Sequence, residues 1–160
     1  MDTTGLYTRS RKLALRRKEN SNKTYYCRLS PAHRGCASVF QHEMFKAFNP
    51  GIYRGTLNMI CLRDIVFPKH SISLLPYHDL WFNGGYRKLT GYSPRLYPAT
   101  LAGIKVWVFR PGNENYLDNL ISMMTTSGVA PNKWVEIISE CGLMETLKID
   151  YDGYYPLTFE

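Results

Sequence analysis

The chain has no Cys-x-x-Cys pair, no run of about 20 apolar residues, and no apolar leader behind its first methionine. The four cysteines (Cys27, Cys36, Cys61 and Cys141) are scattered, so the expectation is reduced thiols in an intracellular setting rather than a disulfide scaffold. The missing apolar run argues against a membrane-crossing helix, and Asp2 removes the glycine that N-myristoylation needs. Any membrane contact is expected to be peripheral. Catalytic signatures are missing as well: there is no GxGxxG, P-loop, His-Glu-x-x-His or G-x-S-x-G. His33, His42, His70 and His78 have no acid or nucleophile at motif spacing, and the expectation is a protein that is not an enzyme and holds no cofactor.

Acidic residues are also scarce where bases are dense. Residues 1–35 hold nine Lys/Arg against Asp2 and Glu19, a net +7 that equals the charge of the whole chain. Residues 36–113 carry nine bases against three acids, whereas residues 114–160 carry Lys133 and Lys148 against eight acids. A basic arm on a bipolar body suits a protein that grips a polyanion at one end and another protein at the other. The arm side chains Arg9, Arg11, Lys12, Arg16, Arg17, Lys18 and Lys23 are the candidate membrane- or nucleic-acid-binding residues. An anionic leaflet would gain about 1 kcal/mol from each engaged base, and RNA phosphates would serve equally well. Arg11-Lys12 and Arg16-Arg17-Lys18 also fit a nuclear import signal.

With 160 residues and 44% apolar content, the chain fits a flexible basic arm over 1–22 and one globular domain over 23–160. Residues 23–29 begin the ordered part, and residues 56–67 form the first long β pattern. Pro76 suits the first turn of a short helix through Trp81, and residues 86–98 read as an irregular loop. Ile104, Val106 and Val108 alternate with Lys105, Trp107 and Phe109 as in a strand. Tyr116, Leu117, Leu120, Ile121 and Met124 predict a helix over 114–124. Pro131 then opens a second helix lined by Trp134, Val135, Ile137, Ile138 and Cys141, with Gly142 as its cap. A hairpin through Asp152-Gly153 would pair residues 143–149 with Tyr155, Leu157 and Phe159. The predicted fold class is α+β, an antiparallel sheet with two or three helices packed on it.

This order of strand, acidic helix, second helix and closing hairpin over 104–109, 114–124, 132–143 and 144–159 resembles the rhabdovirus matrix proteins. The smaller plant-infecting members are nearest in length. The resemblance implies a virion structural protein that self-associates and bridges the ribonucleoprotein nucleocapsid to acidic membrane. Its implied partners are further copies of itself, viral nucleocapsid protein and RNA, and an anionic membrane surface, with nuclear import factors also fitting the arm. The implied setting is the virion, the host cytoplasm and membrane periphery, with the nucleus a further site. Glu114, Asp118, Glu136 and Glu140 are the candidate self-association residues on the acidic C-terminal part. The alternative, from another class, is a basic-armed nucleic-acid-binding protein such as a small viral capsid protein. The two helices over 114–124 and 132–141 separate these readings, because extended chain there removes the basis of the matrix reading.

Cys27, His33, Cys36 and His42 form a C-x5-H-x2-C-x5-H series whose spacing fits no zinc knuckle, so they read as buried thiols and surface histidines and no metal ligand is assigned. Tyr25, Tyr26, Tyr86, Tyr92 and Tyr97 lie among bases, as in single-strand stacking sites. Half-buried sheet tyrosines account for them more simply.

Overall fold

The computed structural model describes residues 23–35, 39–77, 94–110 and 131–160, with the side chains of 31–35, 39–41 and 131 outside that description. Seven strands form one antiparallel sheet: β1 (Thr24–Gly35), β2 (Thr56–Cys61), β3 (Ile72–Ser73), β4 (Arg95–Leu101), β5 (Ile104–Arg110), β6 (Trp134–Ile138) and β7 (Tyr155–Phe159). The strand order is β3-β4-β5-β6-β2-β1-β7, and β7 also pairs with β4. That extra pairing closes β4-β5-β6-β2-β1-β7 into a six-strand ring with β3 attached outside, so the fold is a closed antiparallel barrel and not the expected α+β sheet with packed helices. Closure removes the free edges that an open sheet would leave.

The barrel interior takes every second residue of each strand. Tyr25, Cys27 and Leu29 from β1, Leu57, Met59 and Cys61 from β2, Val106 and Val108 from β5, and Val135 and Ile137 from β6 meet there with Leu157 and Phe159 of β7. Cys27 and Cys61 lie opposite each other across β1 and β2, with Cα atoms 4.0 Å apart, and are joined as a disulfide. This corrects the expectation of free thiols for those two residues and takes Cys27 out of any metal set. Among the described residues, no group of three His, Cys, Asp or Glu side chains is placed to hold a metal.

A second apolar cluster lies on the outer wall. Helix α1 (Val39–Phe48) lays Met44, Phe45 and Phe48 over Leu96, Trp107, Phe109 and Ile138. Its i, i+1, i+4 stripe with exposed Lys46 and Ala47 opposite is the pattern of a half-buried helix. Phe45 meets Phe109 edge-on at 5.1 Å and Phe48 meets Trp107 at 5.7 Å, both in the favoured T-shaped geometry. The helix stops where Asn49 N donates to Phe45 O, and Asn49 Oδ1 then accepts from Gly51 N at 2.9 Å.

Because this wall is covered outside as well as inside, β6 is buried on both faces, and its sequence mimics the helix expected over 132–143. A strand packed on two sides loses its alternation and cannot be told from a helix by period alone. The observed chain is a 3₁₀ turn (Pro131–Lys133) followed by strand β6, whose Val135, Ile137 and Ile138 are β-branched. The expected closing hairpin is also corrected. Leu143–Thr146 is a short helix, α2, and β7 pairs with β1 and β4 instead. The strand over 104–109 is as expected, within β5. The first β pattern ends at Cys61 rather than residue 67, and β4 begins inside the segment read as a loop. The arm over 1–22 and the helix over 114–124 lie outside the described residues. No described helix is long and apolar enough to cross a membrane.

Candidate polyanion-binding end of the barrel

Antiparallel pairing fixes which strand ends share a barrel mouth. β1, β4 and β6 start at one mouth, where β2, β5 and β7 finish. Five of these six strands place a base within two residues of that mouth: Lys23 before β1, Arg63 after β2, Arg95 at the start of β4, Arg110 at the end of β5 and Lys133 before β6. The connection from β2 to β3 stays at the same mouth and adds Lys69 and His70, both exposed. The described acids there are Asp64 and Glu160, and the latter bonds Lys105 Nζ at 2.5 Å.

An aromatic plug holds part of this rim in place. Phe67 packs on Tyr97 at 4.8 Å and on Phe159 at 5.7 Å, and Tyr25 meets Phe159 at 5.7 Å. Tyr25 Oη accepts from Val66 N at 3.0 Å, which pins the β2–β3 connection across the mouth, and Ile65 N donates to Asn132 O at 2.8 Å. The Arg110 guanidinium lies 4.6 Å from the centre of the Phe67 ring, and that of Arg63 lies 3.9 Å from the Tyr25 ring. Each planar cation is thus oriented by a ring face. Arg63 also donates to Thr24 O at 3.1 Å, and Arg95 Nη1 donates to Ser71 Oγ at 2.8 Å.

Arg95 and Arg110 are direct cross-strand partners. Arg95 is exposed, whereas Arg110 is buried beneath it, at 7% exposed.

The rings here do not present a stacking platform. Tyr25 is buried in the core and Tyr97 and Phe67 are half-buried, in keeping with ordinary sheet packing. Tyr26 is half-buried too, and Tyr86 and Tyr92 lie outside the described residues. The mouth is a charged surface set on an aromatic base.

Of the candidate arm residues, Lys23 sits exposed on this rim, where the chain before it joins the barrel; Arg9, Arg11, Lys12, Arg16, Arg17 and Lys18 lie outside the described residues. Of the four rim bases after it, only Arg95 has a place in the sequence reading, among the bases beside the tyrosines; the four are far apart in sequence and only the strand register unites them. The proposed self-association acids divide. Glu114 and Asp118 lie outside the described residues, Glu140 is exposed at the opposite mouth, and Glu136 sits in the outer wall between Asn58 and Phe109. Glu136 keeps a little accessible surface, yet its carboxyl is enclosed, and burial pushes its pKa from 4.5 to about 7. The Thr56 side chain offsets part of that shift, although its hydroxyl does not reach hydrogen-bond geometry.

The opposite mouth carries both signs: Glu140, Glu145, Asp150 and Asp152 stand there with Arg54, Lys105 and Lys148, and Arg34 lies one residue from the end of β1. His42 on α1 has its pKa lowered, first by burial and then by the cations Arg54 and Lys46, with Glu43 acting the other way. No protein-family model matches the chain, and no curated protein matches it in sequence.

Proposed function

We propose that the protein is a structural, non-catalytic binder of nucleic acid, holding the phosphate backbone on the basic mouth and the basic arm together. The observation that carries this reading is the convergence of Lys23, Arg63, Arg95 and Lys133 on one barrel mouth, around the buried Arg110. Phosphate neutralisation by such a set gives tight, sequence-blind binding that weakens steeply with salt. A bilayer is a poorer fit for the mouth, because its aromatic rings are tucked into the plug and Val66 is its one strongly exposed apolar side chain among the described residues.

The fold bears on the choice between the two structural roles. The helix over 132–143 that favoured a matrix-type protein is a strand, so the basic-armed nucleic-acid-binding role takes first place. A six-strand ring is also not the eight-strand jelly roll of many coat proteins. A matrix-type bridging role would use the far mouth, where Glu140, Glu145, Asp150 and Asp152 offer a protein partner acidic groups among bases, while the basic end holds the polyanion.

The test is a titration of a single-stranded RNA oligonucleotide over a salt series with the parent chain and the Arg95→Gln/Lys133→Gln variant. The parent should show a negative slope of log affinity against log salt, and the variant should lose about 1.4 from that slope, at about 0.7 per phosphate contact. Equal slopes would remove the mouth from the site. Flotation of the parent with anionic liposomes alongside absent RNA binding would replace nucleic acid with a lipid surface.

A further inference from the structure

The Cys27–Cys61 bond lies just inside the basic mouth, with Cys61 two residues before Arg63, and both sulfurs belong to the core, the residues being 0% and 2% exposed. Antiparallel ladders alternate between opposed pairs that exchange backbone hydrogen bonds and pairs that do not, and the latter bring their Cα atoms closer, to ~4.5 Å. With Cα atoms 4.0 Å apart, Cys27 and Cys61 are a pair of the second kind, and next to them Leu62 N donates to Tyr26 O at 3.0 Å. The sulfurs, and not the backbone, thus join the strands at this pair. Deeper in the barrel the register holds for two more opposed pairs, Arg28 with Ile60 and Leu29 with Met59, before it shifts between Leu29 and Arg34. The mouth end of the β1–β2 ladder is therefore a short stretch beyond an irregularity, and the bridge fixes its register.

Two groups of the rim hang on this bridge. Tyr25, two residues before Cys27, offers its ring face to the Arg63 guanidinium at 3.9 Å and accepts from Val66 N at 3.0 Å, and Cys27 Sγ lies 3.6 Å from Tyr25 O. Arg63 in turn donates to Thr24 O at 3.1 Å, beside Lys23. Two thiols need more room than one disulfide, since unbonded atoms stand ~3.5–4.0 Å apart, and a core at native density has little to spare. Reduction must therefore push the two strands apart. The end of β2 is the side that yields: β7 holds β1 from Thr24 to Cys27, whereas the pairing of β2 with β6 stops at Ile60.

We propose that this disulfide is a redox switch on the nucleic-acid site: the oxidised chain holds Arg63 on the rim, and reduction by a dithiol releases it. The inference rests on the reading of the basic mouth as that site and adds its regulation. In the redox step the dithiol's thiolate attacks one sulfur of the bridge, and its second thiol resolves the mixed disulfide. Two electrons and two protons leave Cys27 and Cys61 as thiols, and the dithiol becomes a cyclic disulfide. Because both sulfurs are enclosed, attack waits for the end of β2 to open, which displaces Arg63. Nucleic acid held by Arg63 opposes that opening and slows reduction. Linkage supplies the equilibrium counterpart, since a ligand that favours the oxidised form is bound more tightly by it.

The test titrates the single-stranded RNA oligonucleotide with the full chain, oxidised or reduced by dithiothreitol, at a temperature where circular dichroism shows the reduced chain folded. Reduction should weaken binding about tenfold and lower the salt slope by about 0.7, the loss of one phosphate contact. Arg63→Gln should respond less to reduction than the parent, and Cys27→Ala/Cys61→Ala should not respond at all. In a second measurement, the oxidised chain is treated with dithiothreitol, quenched with iodoacetamide and mapped for alkylated Cys27 and Cys61; saturating RNA should slow their appearance several-fold. Equal affinities of the oxidised and reduced chains, or a reduction rate indifferent to RNA, would overturn the switch and leave the binding site standing. A response that persists in Cys27→Ala/Cys61→Ala would assign it to Cys36 or Cys141 and overturn the switch as well. Absent RNA binding by the oxidised parent would remove the site itself, and the switch with it. Where the reduced chain melts at every temperature tried, the rate measurement decides alone.

Discussion

Glu136 is where a single side chain most changes the behaviour expected of the protein. Its folded pKa of about 7 lies above the 4.5 of an unfolded carboxyl, so the folded chain holds a proton that the unfolded chain has lost between those values. Stability should therefore fall as pH rises from about 4.5 to about 7, by up to about 3 kcal/mol, and stay at the lower level above that window. Glu136→Gln should flatten this dependence. Urea unfolding across the window would show a variant more stable than the parent above pH 7 and level with it in acid; parallel curves would mean that the carboxyl is not desolvated. The sequence shows Glu136 as an acid among apolar neighbours and so as a surface group. Its enclosure depends on Asn58 and Phe109, which arrive from strands β2 and β5 through pairings that no local pattern encodes.

At the scale of elements, the β4–β5 hairpin turns through Ala102 and Gly103, both with positive φ (48° and 86°). A type I′ turn favours Asn and Gly at these positions, and alanine is strained in the first. Ala102→Asn should raise stability by about 0.5–1 kcal/mol, read as a higher melting temperature; an unchanged or lower one would show that the turn adopts another geometry. The Cys27–Cys61 link closes a loop of 34 residues between β1 and β2. Reduction should cost about 2–4 kcal/mol, and urea midpoints that coincide with and without reductant would exclude the bond. Among the described elements, β5 was legible because its exposed Lys105 preserves an alternating start. β6 was not, because two layers of packing erase alternation. Helix α1 rests on the short stripe of Met44, Phe45 and Phe48, set within the cysteine and histidine series of that segment. The disulfide was illegible for a different reason: cysteines 34 residues apart become neighbours only through strand register.

For the whole molecule, the barrel redistributes the charge layout of the chain: bases gather at one mouth, and the other holds Glu140, Glu145, Asp150 and Asp152 among Arg54, Lys105 and Lys148. What the sequence could not display is that bases at 23, 63, 95, 110 and 133 share one rim, since a sheet gathers residues by strand end and not by neighbourhood. The salt-slope and reduction experiments given above both belong to this scale, because each reads a mouth rather than a residue.

Ring closure also sets an order of events during folding. β7 joins β1 across a sequence separation of 134 residues, as the Thr24–Thr158 hydroxyl contact at 2.9 Å marks. Pairings that distant form late, since the entropy of closing the span must be met before any contact offsets it. Until then β1 and β4 remain unpaired on the sides that β7 will occupy, and a chain caught in that interval is an open sheet able to capture another chain's strand. The same five residues that complete the barrel thus decide how long the nascent protein stays vulnerable to its own copies.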